Sequence, residues 1–348
     1  MGRHWKYVLG IGLGVALLGL FLYNTDLPAF GRAMRAARPG DLGIALVLTL
    51  ASYALRTIRW HYLVRPVGKA RFWNLFEGIV IGFMVSSILP GRLGEVVRPY
   101  IVSTRDKIRM SALIATVVVD RLCDMFAVLV LLAVYLVFGL DPAHSSPELA
   151  GWIGKLKLAG VVSLGAFVLG LTVLAALRFK TAAALRIAAL LMRPVPERFR
   201  ARLLHVLEHF ASGLSVLSDL RSLIWAVFWS LVVWVEIAVS HYLVIRAFDI
   251  ELPFVAMFLL LALMVIGVSI PTPGGMGGLQ LTCQWGITLV SFPQAAKPVI
   301  DAASMAVWGN SFLPVTVVGL ILFSRTGLSF ARIQKLGDGG GDGAGGEP

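Results

Sequence analysis

Residues 87–95 read S-I-L-P-G-R-L-G-E, and residues 269–280 read S-I-P-T-P-G-G-M-G-G-L-Q. Each stretch follows a short apolar segment and comes before a longer one. The spacing Pro90–Gly91–x–x–Gly94 matches Pro273–Gly274–x–x–Gly277. Proline and glycine in the middle of apolar sequence break a helix. A broken backbone at membrane depth has to lie inside protein or line a cavity, because its N–H and C=O groups have no water to bond. We therefore read the two stretches as Gly/Pro-broken segments of a helical membrane protein. An ordinary surface turn is the competing reading of P-G-x-x-G.

The composition around them agrees. Of 348 residues, 58% are hydrophobic and only 14% charged, where a soluble domain carries roughly 25% charged residues. The mean hydropathy is +0.83. Apolar runs cover 41–60, 75–89, 110–138, 156–177, 222–245, 254–270, 279–292 and 299–323. A crossing needs ~20 apolar residues, so an all-alpha polytopic protein with about six to eight transmembrane helices is expected. The basic start and apolar run at 8–23 read as a retained first helix, with a cleaved signal peptide as the other reading.

The net charge of +12 does not point to nucleic acid, because the basic residues sit between apolar runs, as topological signals do. Arg56, Arg59, Arg65, Lys69 and Arg71 form one cluster, and Arg98, Arg105, Lys107 and Arg109 a second. The connections 139–155 and 246–253 lean acidic. With basic connections cytoplasmic, 75–98 enters and returns on one side, and 254–292 does the same from the other. Two re-entrant segments in an inverted-topology repeat (41–139 and 222–324) are expected. A cytoplasmic-surface amphipathic stretch, 178–221, would join them. The whole of 1–336 is then one membrane domain of the inner membrane, with cytoplasmic termini, and the glycine-rich 337–348 is a disordered tail. Arg32, Arg35 and Arg38 conflict with this scheme, since they fall on the outer side.

Candidate functional residues cluster near the first break. Arg92, Glu95 and Arg98 follow Pro90 and Gly91, and Glu95 and Arg98 share a helix face. A carboxylate with guanidiniums suits a zwitterionic or anionic head group; an internal ion pair is the alternative. Asp120, Arg121 and Asp124 lie within the long fourth run, where charged residues face a bundle interior or a water-filled path. They read as a proton relay or as a locked structural network. Glu236 sits mid-segment, a candidate for proton coupling or a buried helix–helix hydrogen bond. Arg56 and Arg59 beside Trp60 suit topological anchoring or head-group contact. Pro271, Pro273, Gly274, Gly275 and Gly277 form the second break, a conformational element with Gln280 as its polar group. Cys123 and Cys283 read as buried thiols. The histidines are scattered, and no metal site, cofactor or enzyme signature is expected.

Four motifs in order carry a family resemblance: R-T-I-R-W at 56–60, S-S-I-L-P-G-R-L-G-E-V-V-R-P-Y at 86–100, D-R-L-C-D at 120–124 and P-T-P-G-G-M-G-G-L-Q at 271–280. The chain resembles the lysylphosphatidylglycerol synthase transmembrane region, also called flippase-like or UPF0104. Its relatives include the membrane domains of multiple peptide resistance factors. The resemblance runs from about residue 10 to 330. It implies polar family positions at Glu95, Arg98, Arg121 and Asp124. Asp120 stands where the family usually has Glu, and Gln280 where it has an acid.

The resemblance implies lipid translocation between leaflets, of a phospholipid, an aminoacylated lipid or a polyprenyl-linked lipid. The soluble aminoacyl transferase domain is expected to be absent, so synthesis of lysylphosphatidylglycerol is not expected of this chain. An intramembrane enzyme or accessory factor in envelope glycolipid assembly is the alternative. A membrane lipid is the expected partner, with envelope-biosynthesis proteins beside it.

Overall fold

A computed structural model describes residues 5–23, 25–90, 92–139, 219–291 and 295–326, with isolated positions between 155 and 192. Gly91, most of 156–177, most of the amphipathic stretch 178–221 and the tail 337–348 lie outside the described residues. The described elements are α1 (Trp5–Tyr23), α2 (Leu27–Ala36), α3 (Pro39–Val64), α4 (Phe72–Ile88), α5 (Gly94–Asp106), α6 (Met110–Phe138), α7 (Leu220–Arg246), α8 (Ala256–Ser269), a 3-10 turn (Pro273–Gly275), α9 (Gly278–Val290) and α10 (Lys297–Phe323).

Local chemistry sets the ends of these helices. Pro39 occupies the first turn of α3, where a missing N–H costs nothing. Asp26 caps α2 by accepting from Ala29 N at 3.0 Å. Asp219 caps α7: Ser222 N donates to it at 3.2 Å and the Ser222 hydroxyl at 2.6 Å. Pro90 ends α4 shortly after Ile88, and Pro271 and Pro273 end α8. The chain then turns through Gly274, Gly275 and Gly277, all with positive φ, a region where a Cβ is strained.

The helices flanking each break fold back on one another. α4 and α5 approach so closely that a Cβ on Gly94 would overlap the Gly82 carbonyl and the Ser86 hydroxyl. α8 and α9 meet in the same way. The two tips also touch: a Cβ on Gly274 would lie 3.2 Å from Ser87 O, and Trp308 Nε1 on α10 donates to Gly274 O at 2.9 Å. α1 lies across both, with Gly10 beside Pro90 and Pro271 and Leu17 over Gly277.

The long helices brace this centre. α7 runs antiparallel along α3, with Arg246 Nη2 2.5 Å from Asp41 Oδ1 and Arg38 paired to Asp249. Asn310 Nδ2 on α10 donates to Thr49 Oγ1 on α3 at 2.8 Å and to Ser240 Oγ on α7 at 3.1 Å. One apolar cluster gathers Trp60, Leu75, Ile79, Val85, Ile101 and Leu113; another gathers Met257, Leu260, Cys283, Ile287 and Val307. Outward, Val47, Phe138, Ile266, Leu313 and Val317 are exposed. Lipid would cover these large apolar side chains, whereas water would leave them an aggregation hazard.

The helix count differs from expectation. Among the described residues, four helices are long and apolar enough to cross a membrane: α3, α6, α7 and α10. The number rises to five if α1 and α2, bent by 90°, form one span. The expectation of about six to eight crossings, with two re-entrant Gly/Pro-broken segments in an inverted repeat, is corrected accordingly. The physical reason is the proline–glycine punctuation, which stops α4 at 17 residues, α8 at 14, and α5 and α9 at 13 each. The one bent pair with the length of a span lies at α1–α2 rather than at either Gly/Pro break. The chain is a polytopic, all-helical inner-membrane protein.

The Gly82–Gly94 approach yields a test. Gly94→Ala forces a methyl into the Gly82 carbonyl and is expected to destabilise by about 1–3 kcal/mol. Gly43→Ala on α3, with nothing within 4 Å of the added carbon, is expected to be neutral or to stabilise by up to about 1 kcal/mol. Unfolding midpoints of the two variants in detergent, followed by tryptophan fluorescence, check the contrast.

Candidate functional site

The D-R-L-C-D sequence of α6 places Asp120 and Asp124 one turn apart on one face. That face meets Arg59 of α3 and Arg98 of α5. Asp120 has no exposed surface. Its Oδ1 lies 2.8 Å from Arg59 Nη2, and its Oδ2 lies 2.8 Å from Arg98 Nη1 and 3.2 Å from Arg121 Nη2. Asp124 pairs with Arg59 Nη1, accepts from Trp234 Nε1 of α7 at 2.9 Å, and lies 3.4 Å from Arg121 Nη2. Arg59 Nη1 also donates to Ser230 Oγ at 3.1 Å. The Arg98 guanidinium stacks 3.8 Å over the Trp60 ring. That ring is fixed in turn by a 3.0 Å bond from its Nε1 to Thr116 Oγ1.

Arg56 extends the cluster. Its guanidinium lies 4.9 Å from the centre of the Phe83 ring, within electrostatic range of Asp124 and Glu236. Two buried arginines, 59 and 98, and two half-buried ones, 56 and 121, thus face the buried carboxylates 120 and 124 and the half-buried Glu236. Several of their polar atoms are buried without a hydrogen-bond partner: Nε of all four arginines, Nη2 of Arg98 and both carboxylate oxygens of Glu236. Buried polar groups in folded proteins are almost always bonded. Unused guanidinium donors inside an apolar bundle form a place where an anion is favoured over water.

The other sequence-predicted residues fall around this centre. Glu95 is half-buried near Arg121 and acts on its charge. Arg92 is exposed, with φ of 55°, and reaches across the tips to Val268 O at 3.5 Å rather than into the cluster. Pro90 is buried and Pro271 exposed. Gln280 stands apart from the arginines: its Oε1 accepts from Gly277 N at 2.8 Å, capping α9, and its Nε2 points at Met305 Sδ, 3.9 Å away. Trp60, Trp234 and Ser230 join the site without having been singled out for it. The signal was there in the R-T-I-R-W element, whose two arginines and tryptophan share the α3 face that packs on α6.

Removing the shared carboxylate should be more damaging than removing a peripheral cation. Asp120→Asn leaves buried Arg98 without its counter-charge and Arg59 with Asp124 alone, and is expected to cost about 3–5 kcal/mol. Arg121→Gln, at a side chain 38% exposed, should cost under about 1 kcal/mol. Thermal unfolding of both variants in one detergent checks the ordering.

Comparison with known proteins places this geometry. The profile described as lysylphosphatidylglycerol synthase TM region matches residues 7–319. A UPF0104 membrane protein of Methanothermobacter thermautotrophicus is 29% identical over 348 aligned residues, covering 96% of this chain and 98% of that protein. The glycosyltransferase AglD of Haloferax volcanii is 26% identical over 87% of this chain, which spans only 51% of its length. A UPF0104 membrane protein of Methanocaldococcus jannaschii, MJ1595, is 25% identical over 34% of this chain and 37% of its own. The arginine–aspartate cluster and both glycine–proline tips fall inside the matched region, and the chain belongs to the lysylphosphatidylglycerol synthase TM region family, the flippase-like UPF0104 group.

Proposed function

We propose that this chain moves a phosphate-bearing membrane lipid between leaflets and is not itself an enzyme. The observation that carries the reading is the set of unpartnered guanidinium donors around Asp120, above all Nε and Nη2 of Arg98. A lipid phosphate accepts from such donors in a bidentate way. Glu95, half-buried beside Arg121, sits where an amine on a zwitterionic or aminoacylated head group would be welcome. The acyl chains stay toward the exposed apolar faces. The tips meet at Ser87 and Gly274 through backbone, and relative movement of the two tips is the opening this reading requires. Family membership supports lipid handling in general, and the choice of phosphate as the recognised group rests on the cluster.

The name of the Haloferax relative, a glycosyltransferase, favours a second reading, an intramembrane enzyme or accessory factor in envelope glycolipid assembly. The chain corresponds to about half of that protein, so the glycosyl transfer named there belongs to this chain only as a hypothesis.

The test is leaflet exchange of labelled lipids in liposomes carrying the purified chain, with anionic, zwitterionic and aminoacylated head groups compared. Head-group-selective exchange is expected, falling at least about tenfold in Arg98→Lys, which keeps the charge but loses the planar fork. Glu95→Gln should change the preference between aminoacylated and anionic lipids more than the overall rate. No exchange of any lipid by folded protein, with or without a proton gradient, would move the weight to the accessory reading.

A further inference from the structure

A second anion-friendly place lies outside the cluster, where the α3–α4 connection meets the α5–α6 connection. A cavity of about 470 Å³ is lined there by Pro66–Lys69 on one side and by Asp106–Arg109, Ser111 and Ala112 on the other. Lys69, Lys107 and Arg109 are exposed on its walls, and none of them forms an ion pair among the described residues. Asp106, the one acid of the lining, is half engaged: Asn74 Nδ2 donates to its Oδ1 at 2.8 Å, and its Oδ2 is buried without a hydrogen-bond partner. The floor is pinned, with Ile108 packed under Gly68 and its carbonyl accepting from Ser103 Oγ at 2.7 Å.

The first turn of α6 opens into the same cavity through Ser111 and Ala112. That turn has no acidic residue, and its cap residue, Arg109, makes no side-chain bond to it. The positive end of a 29-residue helix dipole therefore adds to three free cations. Depth is set by aromatics. Phe72 and Trp73 are exposed at the start of α4, Trp73 stacked 5.1 Å from Phe76, and Tyr62 stacks 5.8 Å from Trp225. Such rings mark the membrane–water interface, so the cavity sits at the level of lipid phosphates.

We propose that this cavity binds a ligand with a net-anionic phosphate group, held by Lys69, Lys107, Arg109 and the amino end of α6. The site is separate from the transport reading and does not rest on it. Its occupant would tie together the ends of α3, α5 and α6, the helices that carry Arg59, Arg98 and Asp120, and so steady the buried cluster from outside. Both a lipid head group and a soluble phosphate ester carry the chemistry recognised.

The purified full chain in neutral detergent is titrated with short-chain phosphatidylglycerol, with phosphatidylcholine of the same chain length, and with inorganic pyrophosphate, and thermal unfolding is read. A saturable rise in Tm with phosphatidylglycerol, or with pyrophosphate, and none with phosphatidylcholine is expected. The response should be about 10- to 100-fold weaker in apparent affinity in Lys69→Gln/Lys107→Gln/Arg109→Gln, and retained in Lys69→Arg/Lys107→Arg. A response to phosphatidylglycerol alone assigns a lipid phosphate, and one to pyrophosphate assigns a soluble ester; each carries the proposal. Equal responses of wild type and the triple variant, or none from wild type to either anion, would overturn it. Lys107→Gln alone, at an exposed side chain, gives the partial weakening that stands in if the triple variant does not fold.

Discussion

Asp120 is a carboxylate without exposed surface, held between guanidiniums of three different residues. In an apolar bundle an uncompensated charge costs several kilocalories per mole, so α3, α5 and α6 are not free to slide past one another. A shift of one residue along any of them would part Asp120 from Arg59 or Arg98. Asp124 extends the same lock to α7 through Trp234. Stacking of Arg98 on Trp60 fixes the rotation of α3 as well as its height. Hydrophobic burial favours many packings of these helices; the charges leave one.

Away from this lock the bundle is held by lighter polar stations. Asn310 joins three helices through the hydroxyls of Thr49 and Ser240. Asp301, fully buried, gathers Lys297 Nζ at 2.9 Å, Gln284 Nε2 at 2.5 Å and Thr25 Oγ1 at 2.8 Å. Between the two regions lie the glycine–proline tips, where contact is made by backbone rather than by charge. A charged centre thus adjoins a seam where small residues let backbones meet closely.

The nearness of Arg98, Asp120, Arg121 and Asp124 was legible in the sequence. Charged residues within apolar runs have few partners to choose from, and helical spacing put them on facing sides. Arg59 was harder to place. A basic residue near the end of an apolar run serves equally as a topological anchor, and only the packing of α3 on α6 turns it inward, where it is 1% exposed. Gln280 was ambiguous for the opposite reason, since a polar group after a glycine-rich turn serves a ligand or the helix start alike; in the structure its Oε1 caps α9. Fewer helices cross than expected: among the described residues only four are long and apolar enough, while α4 and α8 are apolar but too short to cross, and most of the run 156–177 lies outside the described residues.

α1 precedes both tips in the sequence and is made before them, yet it rests on Pro90, Pro271 and Gly277. Its berth therefore does not exist until the second tip has emerged from the ribosome and closed. During synthesis the helix must wait beside the growing bundle, sheltered by lipid or by the insertion machinery. Docking of α1 then follows closure of the second tip, and a chain stalled before residue 277 would present an intact arginine centre beneath an unlatched α1.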